Sequence, residues 1–192
     1  MIDHTVPRSA TRDIGIVGRA GRAKTPKVLV GAMGLATFLS TWVNKVDRKG
    51  RVSVPAPWRA ALQNQQFQGV ILYPSLTVAA LEGFGRDALE AMNRSRLDRS
   101  LASGDILDTL AGGGEEHDLI ETIMGLAREL PFDPEGRITL PRPLADEAGI
   151  GEEATFVGLG NRFQIWAPER HATHHQAALA RARAAIERRR RS

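Results

Sequence analysis

Cysteine is absent from this 192-residue chain. Disulfides, thiol nucleophiles and thiolate zinc sites are therefore excluded, and the cytosol is the default compartment. Aromatic residues are scarce at 5%, with a single tyrosine. Long apolar runs are missing too. The uncharged stretch Val28 to Asn44 holds 17 residues and is broken by Gly31, Gly34, Thr37, Ser40 and Thr41, whereas a spanning helix needs about 20 mostly apolar residues. The basic segment ahead of it is too long for a secretory n-region, so no membrane association is expected. No Ser, His and Asp arrangement has a motif around it. Gly112-Gly113-Gly114 lacks the Lys and Ser/Thr of a phosphate loop, and nothing completes a recognisable metal site around His171, His174 and His175. The expectation is a protein that is not an enzyme and uses no cofactor, metal or small-molecule substrate.

What is present suits a folded chain. Apolar residues make up 42% and charged residues 25%, close to the average for globular proteins. Net charge is 26 minus 22, or +4, but it is unevenly spread. Residues 1 to 37 carry Arg8, Arg12, Arg19, Arg22, Lys24 and Lys27 against Asp3 and Asp13, a net of +4. Residues 181 to 192 carry six arginines against Glu187, a net of +5. By subtraction, residues 38 to 180 sum to 4 minus 4 minus 5, or −5. Bulk basicity therefore says nothing about partners, and only local patches do. Residues 1 to 32 show no apolar period and read as disordered, with Met33 an alternative initiator ahead of a strand-like segment.

An internal repeat organises the remainder. Asp47-Arg-Lys-Gly-Arg-Val-Ser-Val-Pro-Ala-Pro57 recurs as Asp133-Pro-Glu-Gly-Arg-Ile-Thr-Leu-Pro-Arg-Pro143, with five of eleven positions identical at an offset of 86. Asp47 and Asp133 suit the start of a tight turn, which Gly50 and Gly136 close with positive φ. Val-Ser-Val and Ile-Thr-Leu alternate like a strand with one buried face. Pro55 and Pro141 end each strand, and Pro57 and Pro143 suit the first turn of a helix. Gly149 reads as the stop of the second helix.

Each helix is followed by a predicted hairpin: Val70 to Tyr73 with Val78 to Leu81, then Thr155 to Leu159 with Arg162 to Trp166. Thr41 to Val46 and Gly125 to Phe132 read as leading strands. Arg86 to Met92 and Leu101 to Leu110 look helical, Gly112 to Gly114 is a flexible break, and the chain after Pro168 forms a last helix that frays into the Arg-rich tail. The organisation is then an N-terminal extension (1 to 37), a first repeat (38 to 93), a helical linker (94 to 118), a second repeat (119 to 170) and a C-terminal helix with its tail (171 to 192). Neither half has enough apolar surface for a secure core alone, so the two should share one.

The doubled D-x-x-G-R loop and the closing Val157-Gly-Leu-Gly-Asn-Arg-Phe-Gln-Ile-Trp166 resemble the MraZ family of bacterial transcriptional regulators over residues 38 to about 170. The resemblance implies an α+β, mainly β fold, in which two β-α-β SpoVT/AbrB-like repeats pack as an intramolecular pseudo-dimer barrel with connecting and C-terminal helices. It also implies a ring homo-oligomer that binds direct repeats in double-stranded DNA upstream of its own operon. The role implied is a cytoplasmic, nucleoid-associated repressor of the division and cell wall gene cluster. The N-terminal extension and the Arg-rich end depart from the family pattern and take no role from it.

Charge supports a nucleic-acid reading independently. Lys45, Arg48, Lys49, Arg51 and Arg59 face Asp47 alone, a net of +4 within residues 45 to 59 of an otherwise acidic core. Cations beside a tight turn grip phosphates, and arginine can read guanine edges. These six are the candidate DNA-binding residues. Asp133, Gly136 and Arg137 are their structural counterparts, in a loop that Pro134 and Glu135 make a poor DNA contact and a better packing or assembly element. The alternative for Asp47 with Arg51, and the better reading for Asp133 with Arg137, is an ion pair that only shapes the turn. Trp58, Phe163, Trp166 and Trp42 read as core residues. A second function stays open: an AbrB-like antitoxin or protein-interaction module that binds DNA only secondarily.

Overall fold

The computed structural model describes residues 35–103 and 115–191. The expectations for the chain before residue 35, for the end of the Leu101 to Leu110 helix and for Gly112 to Gly114 lie outside the described residues. Within them the chain is mixed α+β. The first half supplies β1 (Thr41–Lys45), β2 (Arg51–Ser53), α1 (Ala56–Ala61), β3 (Gly69–Pro74) and β4 (Leu81–Phe84), followed by α2 (Arg86–Ser103). After α3 (Glu115–Leu126), the second half supplies β5 (Arg128–Pro131), β6 (Arg137–Thr139), α4 (Arg142–Ala148), β7 (Glu153–Gly158) and β8 (Phe163–Trp166), followed by α5 (Pro168–Arg191).

Six strands form one antiparallel sheet in the order β1-β7-β8-β4-β3-β5. The order is a palindrome under exchange of the repeats, because each leading strand pairs with the other repeat's hairpin: β1 with β7, and β5 with β3. β2 and β6 form a separate antiparallel ribbon that pairs Arg51 with Thr139, Val52 with Ile138 and Ser53 with Arg137. Strand alternation turns Val52 and Ile138 inward, where they are buried, and leaves Ser53 and Thr139 exposed. The ribbon is tied at both ends by matching bonds: Leu140 N donates to Gly50 O at 2.9 Å, and Val54 N to Gly136 O at 3.2 Å.

The repeats bury one shared main core, and Ile71, Phe84 and Ala88 form a smaller second cluster. Trp58, Phe38, Phe156 and Phe163 meet mainly edge to face, with centroids 4.9 to 5.9 Å apart, the arrangement aromatic quadrupoles favour. The indole of Trp58 donates to Leu39 O at 3.0 Å, so its buried N–H is satisfied. Pro55 and Pro141 precede α1 and α4, each helix has a proline in its first turn, and Gly149 ends α4 in the left-handed region at φ 69°.

Four details differ from the sequence reading. The second strand of the first hairpin is Leu81–Phe84 rather than Val78 to Leu81. Glu82 is buried with bonds from Ser75, Gln164 and Arg162, and Gly83 gives the Phe163 ring room to pack on its backbone. Gly125 and Leu126 finish α3 instead of opening β5. Trp42 is 40% exposed because β1 is an edge strand. The arginine-rich tail does not fray before Arg191: alanine and arginine are strong helix formers, and four arginines in the last turn complement the negative end of the helix dipole.

Candidate nucleic-acid interface

The first turn is built by one carboxylate. Gly50 N donates to Asp47 O and Asp47 N to Arg51 O, both at 2.9 Å, closing the chain on itself. Asp47 Oδ1 accepts from the backbone N–H groups of Lys49 and Arg51, each at 2.9 Å. Asp47 Oδ2 takes Arg51 Nε at 2.7 Å and Arg51 Nη2 at 2.6 Å. Gly50 has φ +76°, and a β-carbon there would stand 3.1 Å from Leu140 O. The Arg51 side chain, followed by its backbone N–H, holds the Asp47 carboxyl down at about 2. Both carboxylate oxygens of Asp47 are therefore engaged within the turn.

That leaves the cations beside the clamp. Lys45, Arg48 and Lys49 are exposed, and among the described residues their side chains have no hydrogen-bond or ion-pair partner. Arg48 and Lys49 form the tip of the turn. Lys45 ends β1 opposite Glu153. Arg59 does not join them: its Nε donates to Val54 O at 3.2 Å, and its guanidinium lies on Gly136 of the other repeat. Of the six candidate residues, the structure thus groups Lys45, Arg48 and Lys49 as available cations, pairs Asp47 with Arg51 as the clamp, and sets Arg59 across the repeat boundary. The open groove beside the turn, of about 1030 Å³, is lined by Glu152, Glu153 and Glu169 as well as Lys45, Arg48 and Arg170. Its mixed charge makes it a weaker anion site than the tip.

The second turn repeats the clamp with different charge. Asp133 Oδ1 accepts from Glu135 N at 3.1 Å and Arg137 N at 2.9 Å, and Oδ2 accepts from Arg137 Nε at 2.7 Å. Gly136 has the same φ of +76°. Here Arg137 also donates to Glu135 Oε2 at 2.9 Å. Burial pushes the Asp133 carboxyl up, but the Arg137 backbone and side-chain bonds outweigh it and the net direction is down.

Two of the three histidines of α5, His171 and His174, pack against Trp166 of β8, and His175 stacks on His171. His174 lies 4.8 Å from the Trp166 ring and His171 5.5 Å from His175. Burial lowers the His171 pKa, helped by the charges of His175 and His174. Among the described residues no group of three or more His, Cys, Asp or Glu is placed to hold a metal, and no helix is long and apolar enough to cross a membrane. One residue that holds the frame escaped sequence reasoning. Buried Gln65 donates to Gly69 O and accepts from Arg86 N, both at 2.8 Å, which satisfies the first N–H of α2. A lone glutamine in a polar stretch gives no sequence signal for this.

Fold and site together define a double-repeat α+β protein that presents one rigid cationic turn. The family profile described as "MraZ protein, putative antitoxin-like" matches residues 123–191. The transcriptional regulator MraZ of Rhodospirillum rubrum is 43% identical over 143 residues, 73% of this chain and 85% of that protein. The transcriptional regulator MraZ of Rickettsia canadensis is 44% identical over 133 residues, 69% of this chain and 82% of that protein. The chain belongs to the MraZ family.

Proposed function

We propose that this protein is a sequence-specific, DNA-binding transcriptional regulator that engages double-stranded DNA through the first-repeat turn. The observation that carries the reading is the pair of cations, Arg48 and Lys49, without a side-chain partner among the described residues, on a turn that the Asp47 and Arg51 clamp makes rigid. A preformed cationic tip contacts phosphate without first ordering a loop. Lys45, Arg48 and Lys49 make the contacts, Asp47 and Arg51 hold the turn that presents them, and Arg59 ties the end of β2 to the second turn. The palindromic strand order supports an intramolecular pseudo-dimer barrel as its frame.

Three or so cations give one chain little affinity. Assembly of several copies into a ring, each facing one of a series of direct repeats, gains avidity of about 10² to 10⁴ without new contacts. The regulator then acts in the cytoplasm, associated with the nucleoid, as a repressor of the division and cell wall gene cluster that contains its own operon. A titration of labelled DNA from upstream of that operon against scrambled DNA, at two salt concentrations, tests the reading. Preferential binding that weakens as salt rises supports it, and equal binding to both DNAs overturns sequence specificity. The antitoxin-like description of the matched profile favours one second reading, a protein-interaction module, which a stoichiometric partner copurifying with the chain would support.

A further inference from the structure

The two turns share one backbone and opposite charge. Each is closed by an aspartate whose Oδ1 accepts from the backbone two and four residues on, and each has an arginine clamped to the aspartate through Nε at 2.7 Å. Each has its glycine at φ +76°. They lie at opposite ends of the same two-stranded ribbon, whose register interchanges them. If shape alone decided, a phosphate backbone would be gripped equally well at either end.

Chemistry distinguishes the ends at two positions. Arg48 and Lys49 of the first turn become Pro134 and Glu135 in the second. Glu135 does more than replace a cation. Its carboxylate receives Arg137 Nη2 at 2.9 Å while remaining 63% exposed. The Arg137 fork is thereby divided between two carboxylates, and a negative charge stands where Lys49 stands in the first turn. An approaching phosphate meets Asp133 and Glu135 against one arginine, a like-charge encounter that complementarity penalises.

We infer that Glu135 bars the second turn from DNA, so that each chain of this pseudo-symmetric fold engages nucleic acid through the first turn only. The inference rests on the proposed function and adds a residue that fixes which end binds. A frame with two equivalent cationic turns would offer the duplex two related grips per chain. With one end closed, each chain binds in a single orientation, and the polarity of the bound sequence follows the polarity of the chain.

The test uses the full chain and three variants, Glu135→Lys, Glu135→Gln and Lys49→Glu, titrated with the upstream duplex and with scrambled DNA over a range of salt. Thermal melting confirms that each variant is folded; Glu135 is exposed and Lys49 makes no side-chain bond within the described residues, so the fold has little to lose. Opening the second turn with Glu135→Lys should tighten binding at low salt, most visibly to scrambled DNA, and steepen the log affinity against log salt slope by about 0.9 for each phosphate gained. Glu135→Gln should move the same way by less. Lys49→Glu should flatten the slope, and adding Glu135→Lys to it should recover part of the loss. If the wild type binds with a salt-dependent slope and Glu135→Lys leaves both affinity and slope unchanged, the inference is overturned while the proposed function stands. Should the wild type bind neither duplex, the proposed function falls and takes the inference with it.

Discussion

Arg59 of the first repeat lies so close on Gly136 of the second that a β-carbon on Gly136 would overlap its guanidinium. Gly136 also needs its positive φ of 76°. Gly136→Ala should therefore cost about 1–3 kcal/mol from backbone strain and displacement of Arg59, or roughly 2–4 °C in melting temperature per kcal/mol for a chain of this size. Combining it with Arg59→Ala should recover the steric part alone, because the two residues share one contact. Strictly additive losses in thermal melts of the single and double variants would rule that contact out.

The clamp of the first turn should be visible in acid. Asp47 is held at about 2 against an ordinary 3.8, so the unfolded chain binds its proton more tightly than the folded one. Its stabilising contribution is complete above the ordinary value and is lost as pH falls from near 4 to near 2. Melting temperatures of the wild type and Asp47→Asn should differ at pH 5 and converge toward pH 2. A gap that stays constant over that range would mean that the carboxylate charge is not what holds the turn.

Arg48→Ala and Lys49→Ala each remove one exposed cation from the tip without touching a bond of the turn. Each should weaken DNA binding about evenly across sequences and reduce the salt slope by about 1. Arg51→Lys should behave differently. Lysine keeps the charge but cannot reproduce the two-pronged contact of Arg51 with Asp47 Oδ2, so it should lower the melting temperature along with the affinity. Loss of affinity in Arg51→Lys with unchanged melting would instead place Arg51 directly on DNA.

How much of this could be read from the sequence depends on how local the determinant is. The turns were legible because Asp47, Gly50 and Arg51 act within five residues, and the clamp they form was one of the two alternatives the sequence left open. The ribbon strands and the proline-started helices follow from equally local chemistry. The exchange of leading strands between repeats is non-local and has no signature along the chain. β4 was misplaced for a related reason. A strand containing Glu82 and Gly83 makes sense only once Arg162, Gln164 and Phe163 of the other repeat are beside it. Charge identified Arg59 as a cation but could not show that it reaches across to Gly136.

Tryptophan shows the same limit in a form that stability can measure. Trp58 and Trp42 both read as core residues, yet Trp58 is 1% exposed among Phe38, Phe156 and Phe163, and Trp42 is 40% exposed on an edge strand. Truncating Trp58 opens a large cavity and removes the bond its indole makes to Leu39 O. Trp58→Ala should cost about 3–5 kcal/mol, whereas Trp42→Ala should cost about 1 kcal/mol, as a half-exposed side chain does. Urea unfolding of both variants, read with the slope held to that of the wild type, gives the comparison directly. Equal losses would mean that β1 is covered in solution by something that buries Trp42, and a loss of more than about 2 kcal/mol at Trp42 in a purified monomer would contradict its edge position.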